Sequence, residues 1–319
     1  MYHDLKDKPR EFLAATSLTH EEFAILLPNF QQAYEQRYPV NLTALGKKRQ
    51  RKVGGGAPGQ LPEFADKLFF ILVFYKTNPL QTMHALQFAL GQPRANYWLH
   101  RLLPVLQDTL AGIGMKPERE GGRVGSQPET SEGGANLALD GTERRLQRPQ
   151  DPLQQKAKYS GKKKCHTDKN ILLVNENSKK VVYLSPTVEG KKHDKKAVEE
   201  AAMAYPANAA LTQDTGFQGY APLGVLTMQP TKKAKGQALS LADKLQNQLC
   251  SSVRIVVENV LAGVKRCRIV KDLLRLTTAG ISDMVMEIAC GLHNLRVTCR
   301  QPPQEAMDLL DFVDSAYSR

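Results

Sequence analysis

Leu137-Ala-Leu-Asp140-Gly-Thr ends a short apolar run on a carboxylate, and Ala210-Leu-Thr-Gln-Asp214-Thr-Gly-Phe repeats the device further along the chain. Alternating apolar residues before a glycine-containing turn read as a strand that delivers its last side chain to a sheet edge. A third carboxylate, Glu258, opens an amphipathic helix at Arg254-Ile-Val-Val-Glu258-Asn. Either aspartate alone also reads as a turn residue. Together on a basic chain, Asp140, Asp214 and Glu258 are candidate ligands of a divalent-metal site for phosphodiester chemistry. Hard cations such as Mg²⁺ take oxygen ligands and keep several waters, so few protein carboxylates suffice for a pair of ions sharing a phosphate.

Around these motifs the text is β-branched and broken into short runs at Leu137–Leu139, Ile171–Val174, Val181–Leu184, Ala210–Thr212 and Val225–Met228. Helical text lies at Asp194–Ala204, Leu239–Leu249 and Val253–Leu276. Three strands in hairpin succession, then a helix, a strand, another strand and helices, is α+β order and predicts a mixed sheet with helices on its faces.

Upstream the periodicity is helical. Leu18–Tyr38 reads as an amphipathic helix with Thr19 as N-cap before Glu21-Glu22, although Pro28 sits mid-helix. Phe64–Lys76, Leu80–Leu90 and Arg94–Leu106 follow, parted by turns at Thr77-Asn-Pro79 and Gly91-Gln-Pro93. That spacing matches a helix-turn-helix, whose second helix would present Arg94, Asn96, Tyr97 and Arg101 to DNA; a plain helical bundle has the same spacing. The predicted organisation is a helical segment and basic linker at 1–60, with Gly54–Gly59 as a connector, then a helix-turn-helix domain at 61–111. A Gly/Ser/Glu-rich linker at 112–136, a catalytic domain at 137–300 and a peripheral tail at 301–319 complete it.

Composition narrows the function. A formal charge of +12 and a pI near 9.4 point to a polyanionic partner. The charge is concentrated in Lys47-Lys-Arg-Gln-Arg-Lys52 and in Lys156-Ala-Lys-Tyr-Ser-Gly-Lys162-Lys163-Lys164, the second close in sequence to Asp140. A solvated face is the alternative reading, more for the first run than for the second. The longest apolar run, Leu68–Tyr75, is far shorter than the roughly 20 residues that cross a bilayer, and the first residues lack a signal-peptide core, so a cytoplasmic protein is expected. The five cysteines have no close-spaced pairs, which argues for apolar packing over disulfides or zinc. On the helix after Arg254, the positions Glu258, Ala262, Lys265 and Ile269 share a face, so Lys265 and Arg254 either grip phosphate beside the carboxylates or are ordinary surface cations.

The motifs together resemble bacterial insertion-sequence transposases of the DDE superfamily. They are Leu139-Asp140-Gly-Thr-Glu, Tyr159-Ser-Gly-Lys-Lys-Lys-Cys-His166-Thr-Asp-Lys169, Gly190-Lys-Lys-His193-Asp194, Asp214-Thr-Gly-Phe-Gln-Gly-Tyr220 and Arg254-Ile-Val-Val-Glu258 through Lys265, in the family's order. The resemblance implies an RNase H-like catalytic fold, with Asp140, Asp214 and Glu258 as the metal-binding triad for two Mg²⁺ or Mn²⁺ ions. Arg254, Glu258 and Lys265 match a Tyr-Arg-Glu-Lys pattern, with Ser251 where the tyrosine would stand. Tyr159, Lys162, Lys163, Lys164 and His166 would border the DNA, and His193 and Asp194 would support the site.

The activity implied is metal-dependent cleavage at a mobile element's inverted repeats, followed by attack of the freed 3′-hydroxyl on target DNA. The expected partner is double-stranded DNA, bound by a homodimer or higher oligomer. Two other readings stand beside it: a transposase-derived DNA-binding regulator without catalysis, and an RNase H-like nuclease without a transfer step, since fold does not fix reaction.

Overall fold

A computed structural model describes residues 2–42, 47–50, 59–127, 130, 135–233 and 238–300. The expected connector at Gly54–Gly59 and the end of the first basic run fall largely outside the described residues, as do the 301–319 tail and parts of 112–136.

The N-terminal half is helical: α1 (Tyr2–Leu5), α2 (Pro9–Thr16), α3 (His20–Arg37), α4 (Phe64–Thr77), α5 (Gln81–Gln87) and α6 (Gln92–Gly112). Thr19 caps α3 as its sequence predicts. Its hydroxyl accepts from the Glu22 amide at 3.3 Å, and the Glu22 carboxylate accepts from the Thr19 amide at 2.9 Å. The apolar run Leu68–Tyr75 is buried on all sides within α4, which makes it the centre of the helical layer.

The sheet follows: β1 (Asn136–Arg145), α7 (Pro152–Lys158), β2 (Tyr159–Ser160), β3 (Cys165–Asn175), β4 (Val181–Leu184), β5 (Val188–Glu189), α8 (Asp194–Glu200), β6 (Ala210–Gln213) and β7 (Leu226–Met228). β3 pairs antiparallel with β1, β2, β4 and β5, whereas β6 runs parallel to β1 and β7 parallel to β6. This is the mixed α+β sheet that the order of strands and helices predicts. Side chains alternate between its two faces. Ala138, Leu172, Val174 and Leu184 join the core of the N-terminal helices, while Leu137, Leu139, Ile171, Leu173 and Leu211 form a second core with Val198 and Phe217.

Three helices end the described residues: α9 (Leu241–Val264), α10 (Arg268–Lys271) and α11 (Ile281–Arg300). Here the structure corrects the sequence reading. A Ser240/Asp243 capping box starts α9, and no proline or glycine interrupts it before Gly263, so the two predicted helices are one and Glu258 lies late in it instead of opening it. The face shared by Glu258 and Lys265 ends there, because Lys265 is the C-cap and Ile269 belongs to α10.

Helix α11 carries no sequence expectation, yet it joins the halves of the molecule. Ile281, Val285, Ile288, Leu292 and Leu295 recur at helical spacing along its buried side, a stripe that is present in the sequence. Several of its polar residues tie it to distant elements. Asn294 accepts from the Val181 amide and donates to the Val181 carbonyl, both at 2.9 Å, extending the β4 edge. Glu287 pairs with Lys116 at 2.7 Å, and Arg300 grips Glu22 of α3 at 2.6 and 2.8 Å.

The expected 112–136 linker is also packed where it is described. Glu118 hydrogen-bonds with Val182 and Leu184 through its backbone, Val124 is fully buried, and Gly121 lies so close to the Ala201 carbonyl that a Cβ would sit 1.9 Å from it. Gly121 and Gly125 serve close approach, a role that composition alone does not separate from flexibility. The helical and sheet regions consequently share a core instead of hanging as beads. Cys250, Cys267 and Cys290 are buried, as apolar packing predicts.

Helix α9 crosses α11 at Gly263, where an added Cβ would meet the His293 ring at 2.4 and 2.7 Å. His293 cannot yield easily, since it is buried and hydrogen-bonded to the Lys179 carbonyl at 3.0 Å. Gly263→Ala should therefore destabilise the fold by about 1–3 kcal/mol through overpacking, although Gly→Ala in a helix interior ordinarily stabilises it. Urea denaturation measures the sign; a more stable variant would contradict the crossing.

Candidate active site

The parallel register of β1 and β6 sets Leu139 against Gln213, so the next residue on each, Asp140 and Asp214, emerges at the same level of neighbouring strands. β1 runs on past Asp140, while the chain turns at Asp214 into a short 3₁₀ helix, Thr215–Phe217. Backbone amides fix both carboxylates: Gly141 donates to Asp140 Oδ1 and Thr215 to Asp214 Oδ1, each at 2.7 Å. Helix α9 lies across this edge. Asp140, Asp214, Ser251, Arg254 and Glu258 line one cavity of ≈ 300 Å³.

Burial pushes the Asp140 carboxyl up to about 6, aided by the charges of Asp214 and Asp194 and opposed by the Gly141 amide and Lys265. Two carboxylates held this close on rigid strands, with a protein cation as partial counter-charge, form an oxygen donor set suited to a hard divalent ion. Glu258 is different. It is exposed on α9, and its Oε1 accepts from Arg254 Nε at 2.9 Å. Consequently the three carboxylates share the cavity without their oxygens all closing to within 4.8 Å; among the described residues only His3, Glu63 and Asp66 do so, around the cap of α4.

Lys265 and Asp194 also lie beside these carboxylates, whereas His193 is exposed. Lys265 is half-buried; burial pulls its pKa down, as do Lys163 and Lys271, while the Asp140 charge holds it up. Asp194 lies against both glycines that follow the strand carboxylates: a Cβ on Gly141 or Gly216 would meet its oxygens at 3.3 or 3.1 Å. Asp194 is paired with buried Lys169 at 2.8 Å, and Lys169 reaches Glu143 at 3.9 Å. His193 is the N-cap of α8, its Nδ1 accepting from the Lys195 amide at 3.3 Å. The Lys169–Glu143 pairing carries no sequence expectation, although Lys169 belongs to the motif that begins at Tyr159.

Lys162, Lys163 and Lys164 are exposed at the tip of the β2–β3 hairpin, where Lys164 adopts a φ of 54°. Tyr159 and His166 pair across its base. In the helices expected to form a helix-turn-helix, Arg94 and Tyr97 are exposed at the start of α6, with the Arg94 guanidinium 4.8 Å from the Tyr97 ring centre. Asn96 and Arg101 depart from the expectation of exposed positions: both are half-buried. Arg101 lies 3.5 Å over the Tyr38 ring and donates to the Tyr34 hydroxyl at 3.0 Å, because α6 packs against α3 through this face.

Residues 139–294 match the family model described as DDE superfamily endonuclease. The chain is also 23% identical over 248 residues, 77% of its own length and 84% of the relative's, to a protein of Microchaete diplosiphon described as "Probable transposase for insertion sequence element IS702". No solved structure matches significantly. Residues 139–294 are thus a DDE superfamily endonuclease region, and the chain as a whole is similar to an insertion-sequence transposase. The endonuclease family brings with it DNA as partner and dependence on a divalent metal. Among the described residues no helix is long and apolar enough to cross a membrane.

The raised Asp140 pKa has a measurable consequence without metal. A carboxyl at about 6 in the fold and near 3.8 when unfolded favours folding fully at low pH, and that contribution is lost as pH rises through 6. Asp140→Asn should accordingly stabilise the EDTA-treated protein at pH 8, by roughly 1–3 kcal/mol, with the gain vanishing near pH 4. Denaturation at both pH values tests this; a gain equal at the two would dissociate it from ionisation.

Proposed function

We propose that the protein binds the terminal inverted repeats of a mobile element, cuts the DNA at the element's ends and joins the resulting 3′-hydroxyl to target DNA. The observation that supports this reading best is the cavity where Asp140 and Asp214, on adjacent parallel strands, meet Glu258 of α9. We assign these three as ligands of two Mg²⁺ or Mn²⁺ ions. When bound, such ions lower the pKa of an attacking water and neutralise charge on the departing oxygen.

The chain's own residues supply position and charge. The sheet and the backbone amides hold Asp140 and Asp214 in place before substrate arrives. Glu258, held at a helix surface by Arg254, has rotamer freedom to turn inward. Arg254, once released from it, stands at the cavity rim as a fork for phosphate oxygens. Lys265 places an ammonium beside Asp140, where it can meet the phosphate flanking the cut. In-line displacement at phosphorus asks for little else, so no covalent protein–DNA intermediate is needed. Arg94 and Tyr97 at the start of α6 would contact the repeat, the hairpin lysines would follow its backbone, and a homodimer would hold paired ends in the bacterial cytoplasm.

Asp140→Asn, Asp214→Asn and Glu258→Gln are each expected to lower Mg²⁺-dependent nicking of element-end DNA at least a thousandfold while retaining binding. Binding by the unaltered protein without any nicking would favour a regulator instead. Alanine at Lys162, Lys163 and Lys164 together should flatten the dependence of log affinity on log salt by roughly 0.9 for each phosphate that is no longer neutralised. An unchanged slope would remove the hairpin from the DNA path.

A further inference from the structure

A second cleft, ≈ 800 Å³ and open to solvent, lies between α7 and the β2–β3 hairpin. Arg148, Gln155, Lys156, Tyr159, His166 and Lys191 line it, and no carboxylate does. The nearby acids are engaged: Asp151 caps α7 through the Gln154 amide at 2.8 Å, and Asp168 is paired with Lys158 at 2.9 Å. By contrast, none of Arg148, Lys156 and Lys191 is within ion-pair distance of a described carboxylate. The cleft is therefore a concentration of positive charge without internal compensation, which selects an anionic ligand.

Its construction narrows the ligand further. Gln155 accepts from Arg148 Nε at 3.1 Å and Nη2 at 2.8 Å and is itself fixed by donating to the Pro149 carbonyl at 2.8 Å, so the guanidinium is oriented. Tyr159 is 43% exposed despite being an aromatic on a strand, and its ring meets His166 edge-on with centroids 5.7 Å apart. Gly161 leaves open space beside it, with nothing within 4 Å of an added Cβ. A free aromatic face ringed by cations is complementary to a nucleotide, with the base on the ring and the phosphate on the cations.

The cleft also has a definite place relative to the carboxylates. Leu146, six residues beyond Asp140, donates its amide to the His166 carbonyl at 3.0 Å. At about 3.3 Å per residue the two sites are roughly 20 Å apart along the strand direction, or about six nucleotides at 3.4 Å each. Between them, the charges of Lys163 and Lys265 are close enough to act on each other. Basic side chains thus continue from one site to the other.

We propose that this cleft binds an unpaired nucleotide of a DNA strand roughly six nucleotides from the cut, with its base stacked on Tyr159 and its phosphate held by Arg148, Lys156 and Lys191. The proposal rests on the DNA-transposing reading above, and its failure can be told apart from failure of that reading. The full chain is titrated in EDTA with a dodecamer of thymidylate, with an abasic deoxyribose-phosphate dodecamer of the same length, and with duplex DNA. The unaltered protein should prefer the thymidylate strand about tenfold over the abasic one. Tyr159→Ala should abolish that preference while leaving abasic binding unchanged, and Tyr159→Phe should keep it. Arg148→Ala and Lys191→Ala should weaken both strands and reduce the salt slope by about 0.7 each.

A preference that is absent, or that survives Tyr159→Ala in a variant with unaltered melting, overturns the cleft proposal. Duplex binding with no such preference sinks the cleft alone. Failure to bind any of the DNAs sinks the DNA-acting reading with it.

Discussion

The parallel pairing of β1 with β6 is the constraint on which the site depends. It is a short ladder, four residue pairs from Asn136↔Ala210 to Leu139↔Gln213, and it ends where the carboxylates begin. Asp140 and Asp214 are brought side by side in a partly buried place, where like charges oppose each other and burial opposes both. The sheet supplies the energy that holds them there, since Leu137, Leu139 and Leu211 are buried in one core and Ala138 in the other. Slipping the register by one residue would turn these apolar side chains outward, so the same packing that stabilises the strand fixes the position of the acids.

The third carboxylate depends on a longer series of interactions. Glu258 reaches the cavity because α9 lies across the sheet edge, and α9 lies there because Val257, Val260 and Val264 pack in the core shared with α11. Helix α11 in turn is tied to β4 by Asn294, to the segment after α6 by Glu287, and to α3 by Arg300. The N-terminal helices and the catalytic sheet are thereby parts of one packed body.

Much of this is legible in the amino-acid sequence because its signals are local. Alternation at Leu137–Leu139 and Ala210–Thr212, each ending on an acid, marks the strands and both aspartates, and the Thr19/Glu22 box marks the start of α3. What escapes depends on interactions between distant residues. The role of helix α11 lies in partners far off in the chain, Val181, Lys116 and Glu22; β1 and β3 extend beyond their apolar runs because polar Thr142, Arg144 and Asn170 are buried within the ladder. Gly121 and Gly125 read as part of a linker because sequence does not distinguish flexibility from close approach. Arg101 reads as a DNA-facing residue only until its ring partners, Tyr34 and Tyr38, are brought in from another helix. The basic side chains of the second cleft, Arg148 and Lys191, come from segments that only the fold adjoins.

The central claim is that Asp140, Asp214 and Glu258 hold divalent metal together, and replacing that metal with Fe²⁺ tests it most directly. Ascorbate and peroxide then generate hydroxyl radicals at the bound ion, which cut the polypeptide nearby. Fragments ending close to residues 140, 214 and 258 are expected, and they should disappear when excess Mg²⁺ competes. Cuts confined to the neighbourhood of His3, Glu63 and Asp66, or the absence of any Mg²⁺-sensitive cut near the three carboxylates, would contradict it.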